Sequence, residues 1–395
     1  MLIVHLITGL QPNGAENQLQ QLVLASDNRR FRHVVISLLE GGQIASELKA
    51  AGIEVYSLGM KGGSPSPVGM VRLIRLLRRY KPEVLHCWLY HACLMGLLGA
   101  QWSSISRVIW GLRSANAGLR GYSLSTRAVV RLCAKLSTLP DAVVANSQTS
   151  RTVHQNWGYD RARMRVIPNG VDIQLFFPDP EARKAVREEL GLGRDTVLIG
   201  LFARYSPMKD HETFLRAAGL VHVRYPDVRF LMAGERITAD NEPLSRLVRE
   251  NALQRVVYLL GPRRDLPRLT AALEILCLSS WSESFPNVVV EAMACAVPCI
   301  VTDVGDTRLI VGDTGRVVPS RDPVALAEAI GVLIAMDAAE REALGQKARE
   351  RVLAQFTLQK TVSAYENIYE ESSRKCSTEA ESMVARPKVP ASSLK

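Results

Sequence analysis

Two glutamates, Glu283 and Glu291, stand eight positions apart in SESFPNVVVEAMACAVP (282–298). One precedes a Pro-Asn turn; the other lies inside the apolar run that follows. A carboxylate among Val, Ala and Met is costly to bury unless a partner meets it. Its two acceptor oxygens match the paired hydroxyls of a ribose. The run predicts a helix beginning at Pro286 or Asn287, next to Phe285. The unsatisfied first-turn N–H groups of such a helix suit a phosphate or another electronegative group. The competing reading is a capping acid followed by a solvated helix glutamate.

A second group is GLFARYSPMKD (200–210), where Arg204 and Lys209 project from a loop after a strand. Two cations there would neutralise a diphosphate and stabilise it as it departs. Solvated loop charges are the plainer alternative. TGLQPNGAENQL (8–19) reads as strand, loop and helix start, with Asn13, Gly14 and Glu16 at the turn. Gly14 is expected to allow a positive φ and a close backbone approach. The loop lacks the G-x-G-x-x-G dinucleotide fingerprint. HCWLYHACLMG (86–96) brings His86, Trp88, Tyr90 and His91 to a strand end. Trp88 and Tyr90 could stack on a sugar or pack in a core, and a histidine there also fits a core role. Arg113 stands at a further strand end as a candidate acceptor or phosphate contact, and Asn146 and Ser147 at another, where they would shape the acceptor side. No Asp-x-Asp and no metal-ligand spacing occurs, so no metal or other cofactor is expected.

The elements that must position these residues alternate. Strand-like runs at 2–8, 33–38, 53–58, 84–87, 107–110, 142–145 and 165–167 are separated by helical patterns. After the Pro-rich stretch IPNGVDIQLFFPDPE (167–181) the alternation restarts, with strands near 197–202, 229–233, 256–259, 275–278, 299–302 and 316–318. This predicts an α/β chain of two Rossmann-like doubly wound domains facing each other across a cleft, with ligands beyond the carboxyl ends of the strands. The expected divisions are 1–175, 176–355, a helix 356–372 packing back on the first domain, and a disordered tail 373–395.

Arg204, Lys209 and the Glu283/Glu291 pair resemble, in order and spacing, the retaining glycosyltransferases of sequence family 4, which have the GT-B fold. The bacterial polysaccharide-biosynthesis members are the nearest in pattern. Further matches are AMACAVPCIVTDVGD, IPNGVD (167–172) and ANSQTSR (145–151), and the likeness covers about residues 1–370. The resemblance implies that Arg204 and Lys209 bind the donor's pyrophosphate, Glu291 holds the ribose, and Glu283 lies near the donor sugar. It also implies that His91 lies against that sugar, giving a catalytic set of His91, Arg204, Lys209 and Glu283. Gly14, Phe285, Pro286 and Asn287 complete the donor site. Asn13, Glu16, Trp88, Arg113 and Asn146 are the acceptor candidates. Asn13 stands where the family's Gly-Gly-Ala-Glu element has its first glycine, and Ser284 where a glycine often follows the first glutamate.

Bulk properties narrow the partners. The chain of 395 residues carries a net charge of +10. Residues 1–180 hold 20 Lys+Arg against 10 Asp+Glu, leaving 29 of each beyond, so the whole excess sits in the first half. An anionic partner is expected there. MVRLIRLLRRYK (70–81) concentrates that charge, and reads either as a sheet-packing helix with a solvated basic side or as a dock for anionic lipid headgroups. Its apolar face comprises Val71, Ile74 and Leu77 and, off-phase, Leu73 and Leu76. Nucleic acid is not expected, because no aromatic-basic interleaving accompanies the charge. The seven cysteines show no paired spacing, no signal sequence is evident, and no apolar run is long enough to span a membrane. A cytoplasmic enzyme is expected, peripheral on the inner face of the plasma membrane in the lipid-docking reading. Its anticipated activity is hexosyl transfer from a UDP-type sugar to a saccharide or polyprenyl-linked saccharide. A sugar-nucleotide 2-epimerase of the same fold and a non-catalytic sugar-nucleotide binder are the alternatives.

Overall fold

The computed structural model describes residues 1–61, 66–115, 118, 121–193 and 195–384. Two parallel sheets organise them. The first contains β1 (Leu2–Ile7), β2 (Arg32–Leu39), β3 (Glu54–Met60), β4 (Val84–Trp88), β5 (Val108–Leu112), β6 (Ala142–Ala145) and β7 (Met164–Val166), in the spatial order β3-β2-β1-β4-β5-β6-β7. The second contains β8 (Leu198–Phe202), β9 (Arg229–Ala233), β10 (Val257–Leu259), β11 (Ile275–Leu278), β12 (Cys299–Thr302) and β13 (Gly315–Val318), in the order β10-β9-β8-β11-β12-β13. Helices cover both faces of each sheet, which is why strands such as LIVHLI read as continuous apolar runs. Each order reverses beside its first strand, between β1 and β4 and between β8 and β11. Those reversals open crevices at the carboxyl ends of the strands. The expected pair of doubly wound sheets is what the chain forms.

The last helix, Leu358–Val384, belongs to the core of the first sheet. Leu358, Val362, Tyr365 and Tyr369 are buried with Ile3, Ile7, Trp88 and Ile109. It enters by crossing the linker: Val171 N–H donates to Phe356 O, and Leu358 N–H to Val171 O. The crossing explains Gly170 in IPNGVD. A Cβ there would lie 2.6 Å from Leu358 Cα and 2.7 Å from Thr357 O, so close packing rather than turn chemistry demands glycine. The helix also runs through Val384, past the predicted end at 372 and into the predicted disordered tail. No proline interrupts residues 358–384, and Lys, Glu, Ala and Met favour the helix. Residues 385–395 of that tail lie outside the described residues.

The basic helix is Pro67–Tyr80, begun by Pro at its first position and by Ser66 accepting from Gly69 N, and ended at Lys81 with φ 45°. Its buried stripe is Gly69, Leu73 and Leu77, an i, i+4 repeat. Val71, expected on the buried face, is instead 46% exposed. Leu73 and Leu77, spaced by a full turn and packed over Gly99 of the helix Tyr90–Trp102, set the phase and turn Val71 outward beside Arg72 and Arg75.

Candidate active site

The loops after β8 and β11 fold as one unit. A short 3₁₀ turn, Pro207–Lys209, ends at Asp210, whose carboxylate caps the next helix through Thr213 N. Trp281 N–H donates to Met208 O (3.0 Å), Trp281 Nε1 to Pro207 O (2.8 Å), and Ser279 Oγ to Lys209 O (2.9 Å). Held this way, Lys209 Nζ meets Glu283 Oε1 at 2.5 Å, and Ser280 Oγ donates to the same oxygen at 2.7 Å. The two motifs that lie 74 residues apart in sequence are one cluster.

Glu291 follows on the helix Asn287–Ala294, which has Pro286 at its cap and no side-chain capping bond. Val289 N–H donates to Pro286 O (3.2 Å), which leaves the N–H groups ahead of it available to a ligand. Burial pushes the Glu291 carboxyl up to about 7. Its side chain is partly exposed and has no hydrogen-bond partner among the described residues. A costly carboxylate left open is a carboxylate waiting for donors.

The two lobes meet at their strand ends. Arg204 NH1 donates to Asn13 Oδ1 across the gap (3.1 Å). Ser284 Oγ donates to Asn146 Oδ1 (2.6 Å) and lies 2.8 Å from Ser147 Oγ. Asp306 caps a helix of the other lobe, Gln148–Asn156, accepting from Gln148 N (2.7 Å), Thr149 N (2.9 Å) and Thr149 Oγ1 (2.8 Å). Asn169 Nδ2 donates to Asn287 Oδ1 (2.8 Å). Carboxyl ends of strands from both sheets thus meet across one cleft, with Arg204 reaching over it and the Lys209–Glu283 pair on the loops beside it.

The description "Glycosyltransferase Family 4" matches residues 12–175 of the chain, and "Glycosyl transferases group 1" matches residues 196–336. The chain belongs to the family 4 glycosyltransferases. The D-inositol 3-phosphate glycosyltransferase of Corynebacterium jeikeium is 32% identical over 226 residues, which is 54% of this chain and 54% of that protein. The protein of the same description from Mycobacterium tuberculosis is 33% identical over 229 residues, 56% of this chain and 46% of its own length. The chain therefore spans about half the length of the curated relatives it matches. Among solved structures, Anabaena HepE in complex with UDP and glucose superposes with a TM-score of 0.80 at 22% identity, covering 96% of this chain and all of HepE. WaaG, a glycosyltransferase involved in lipopolysaccharide biosynthesis, gives 0.73 at 13% identity, covering 93% and 99%. The fold is GT-B.

In this family 4 chain several candidate residues occupy places other than those the sequence suggested. Trp88 is fully buried and donates from Nε1 to His5 Nδ1 (3.2 Å), so it has no face for an acceptor sugar. Its sheet neighbours are apolar or ring-bearing, and burying the indole there outweighs exposing it. Phe285 is likewise buried, against Phe356 at 5.7 Å, which leaves only its backbone near the donor loop. Gly14 begins the helix Gly14–Ala25 without a positive φ, and open space surrounds the position of a Cβ. Asn13 does not cap that helix, because its oxygen accepts from Arg204 instead. Glu16 is buried, and its carboxyl is raised by that burial, partly offset by a backbone hydrogen bond and then by Arg204. Asn146 spends its oxygen on Ser284, and Arg113 spends two nitrogens on protein groups. His91 is the second residue of the helix Tyr90–Trp102, entered through Leu89 at φ 70°. Burial lowers its pKa, and Nε2 has no partner among the described residues. A neutral imidazole at a strained strand end fits a ligand contact.

Sequence reasoning missed Ser280, Asp306 and Asn169. Asp306 ends TDVGD, a strand followed by a glycine turn, where Gly305 has φ +57° and a Cβ would lie 2.5 Å from Glu283 O. That glycine was a legible sign of close approach; the partner it approaches was not.

Proposed function

We propose that the chain transfers a hexosyl group from a nucleoside diphosphate sugar, a UDP-sugar, to a hydroxyl of a saccharide or polyprenyl-linked saccharide, with retention at the anomeric carbon. The observation that carries this is the open, costly carboxylate of Glu291 beside the Lys209–Glu283 cluster. Glu291 would accept from the ribose hydroxyls, while Arg204, Lys209 and the first turn of the Glu291 helix face the diphosphate. The acceptor oxygen attacks the anomeric carbon as the bond to the diphosphate oxygen breaks. The acceptor's proton passes to that departing oxygen, so no separate base is required. Charge gathering on the leaving group is met by fixed cations and N–H dipoles, which makes a metal unnecessary in this reading. The UDP held by HepE supports the donor class.

The acceptor side supports a peripheral place on an anionic membrane and a role in cell-surface polysaccharide assembly. Val68, Val71 and Trp102 are exposed beside Arg75 and Arg79, and each basic residue near such a surface adds roughly 1 kcal/mol. No described helix is long and apolar enough to cross a membrane. The test is incubation of the protein with a panel of UDP-sugars and membrane lipid extract, followed by proton NMR of the product linkage. An axial-to-axial or equatorial-to-equatorial outcome at the anomeric carbon supports the reading. Donor converted to an isomer with no acceptor product would point to an epimerase and overturn it, as would binding without turnover.

A further inference from the structure

We propose that Arg113 is a positioning residue that acts through Asn169 to fix the amide of Asn287, so that its NH₂ group donates into the cleft beside Glu291. Arg113 follows β5, and its Cζ lies 4.6 Å from the ring centroid of buried Trp88. Its NH2 nitrogen donates to Tyr365 Oη on the last helix (2.6 Å), and its NH1 nitrogen to Asn169 Oδ1 (2.5 Å). A guanidinium has donors only, so Asn169 must turn its oxygen toward Arg113 and its nitrogen away. That nitrogen donates to Asn287 Oδ1 at 2.8 Å. The polarity then passes on. With its oxygen engaged, Asn287 presents Nδ2, which has no partner among the described residues, on a side chain that is partly exposed.

Asn287 is the first residue of the Glu291 helix, and Glu291 lies one turn on, so the two share a face. A pair of N–H donors thus stands next to a pair of carboxylate acceptors. The complement is a ligand that offers both an acceptor oxygen, on phosphate or ribose, and hydroxyl donors. Nucleoside diphosphates have both. Asn169 is 4% exposed and sits where the linker crosses the last helix, and Tyr365 is fully buried, so the upstream part of the relay is rigid. Losing Arg113 would free the Asn169 amide to turn over, and a turned Asn287 would offer an oxygen to the ligand's oxygen.

The inference rests on the reading that this helix binds the donor nucleotide, so the test includes a benchmark for that reading. Calorimetric titration with UDP is made on the full chain and on Arg113→Met, Arg113→Lys, Asn169→Asp, Asn287→Ala and Glu291→Ala. Asn169→Asp keeps an acceptor for Arg113 but faces Asn287 with a second acceptor. It should weaken UDP about 2- to 10-fold, as should Asn287→Ala. The Asn169→Asp/Asn287→Ala double variant should bind no more weakly than Asn287→Ala alone, the mark of coupled residues. Arg113→Lys, still a donor, should stay closer to the parent than Arg113→Met. If Arg113→Met fails to fold, Asn169→Asp carries the test. Parent-like UDP affinity in Asn169→Asp, with Glu291→Ala weakened, overturns the relay and leaves the donor site standing. Parent-like affinity in Glu291→Ala as well overturns both.

Discussion

Lys209 Nζ and Glu283 Oε1 lie 2.5 Å apart, with Ser280 Oγ on the same oxygen. In the proposed donor site this carboxylate holds the ammonium that would meet the diphosphate. The pair keeps Lys209 extended toward the cleft, and a phosphate must draw the ammonium away from Glu283. Glu283→Gln removes that competition. UDP is expected to bind a few-fold more tightly to Glu283→Gln, while kcat for transfer falls because the donor sugar loses its carboxylate. Weaker UDP binding in this variant, measured by calorimetry, would show that Glu283 does not compete for Lys209.

In the proposed donor site Glu291 would link donor binding to pH. Its folded pKa of about 7 exceeds the ordinary value of 4.5 because burial penalises the charge. The native state therefore holds a proton that the unfolded chain releases earlier. This contribution to stability is full below 4.5 and lost as pH rises through 7. Ribose hydroxyls favour the ionised form, so nucleotide binding near pH 7 should release a fraction of a proton. Titrations in buffers of different ionisation enthalpy measure it directly. Glu291→Gln should abolish the release and raise the melting temperature at pH 8; unchanged proton release in that variant would place the titrating group elsewhere.

Burial acts in the opposite direction on histidine. His33, His154 and His211 are each held at about 4. Unfolded histidines take up protons from about 6.5 downward. Stability present above that value is lost as pH falls toward 4, and three such groups outweigh the single gain at Glu291. Melting temperature should fall progressively from pH 6.5 to pH 4.5. A flat profile over that span would mean that these rings are hydrated in solution.

Asp306 couples the lobes by capping a helix of the opposite sheet with both carboxylate oxygens. Removing a cap of this kind costs about 0.5–2 kcal/mol, here drawn from lobe closure rather than from either lobe alone. Asp306→Ala is expected to raise the radius of gyration of the nucleotide-free chain in small-angle scattering. Scattering identical to the parent would show that closure does not depend on this carboxylate.

Much of this was legible in order but not in depth. Parallel strands buried on both faces announce themselves as Val/Ile/Leu runs, and the spacing of Glu283 and Glu291 reads directly as loop and helix. Of the two roles open to Trp88, the core role holds, because an indole at a strand end looks the same in sequence whether it stacks on sugar or on Arg113. For Val71, apolar spacing alone does not choose between two overlapping helix phases; packing of Leu73 and Leu77 over Gly99 does. Contacts between lobes, such as Asp306 with Gln148 or Asn169 with Asn287, depend on how two separate sheets meet, and no local pattern encodes that angle.

The central claim is that the cations beside Glu283 grip a diphosphate. Calorimetry of uridine and UDP against the parent chain and Lys209→Ala tests it most directly. UDP should bind the parent at least about tenfold more tightly than uridine, a difference of about 1.4 kcal/mol, and that difference should collapse in Lys209→Ala while uridine affinity holds. Equal affinity for uridine and UDP in the parent, or a difference that survives loss of Lys209, would contradict the account.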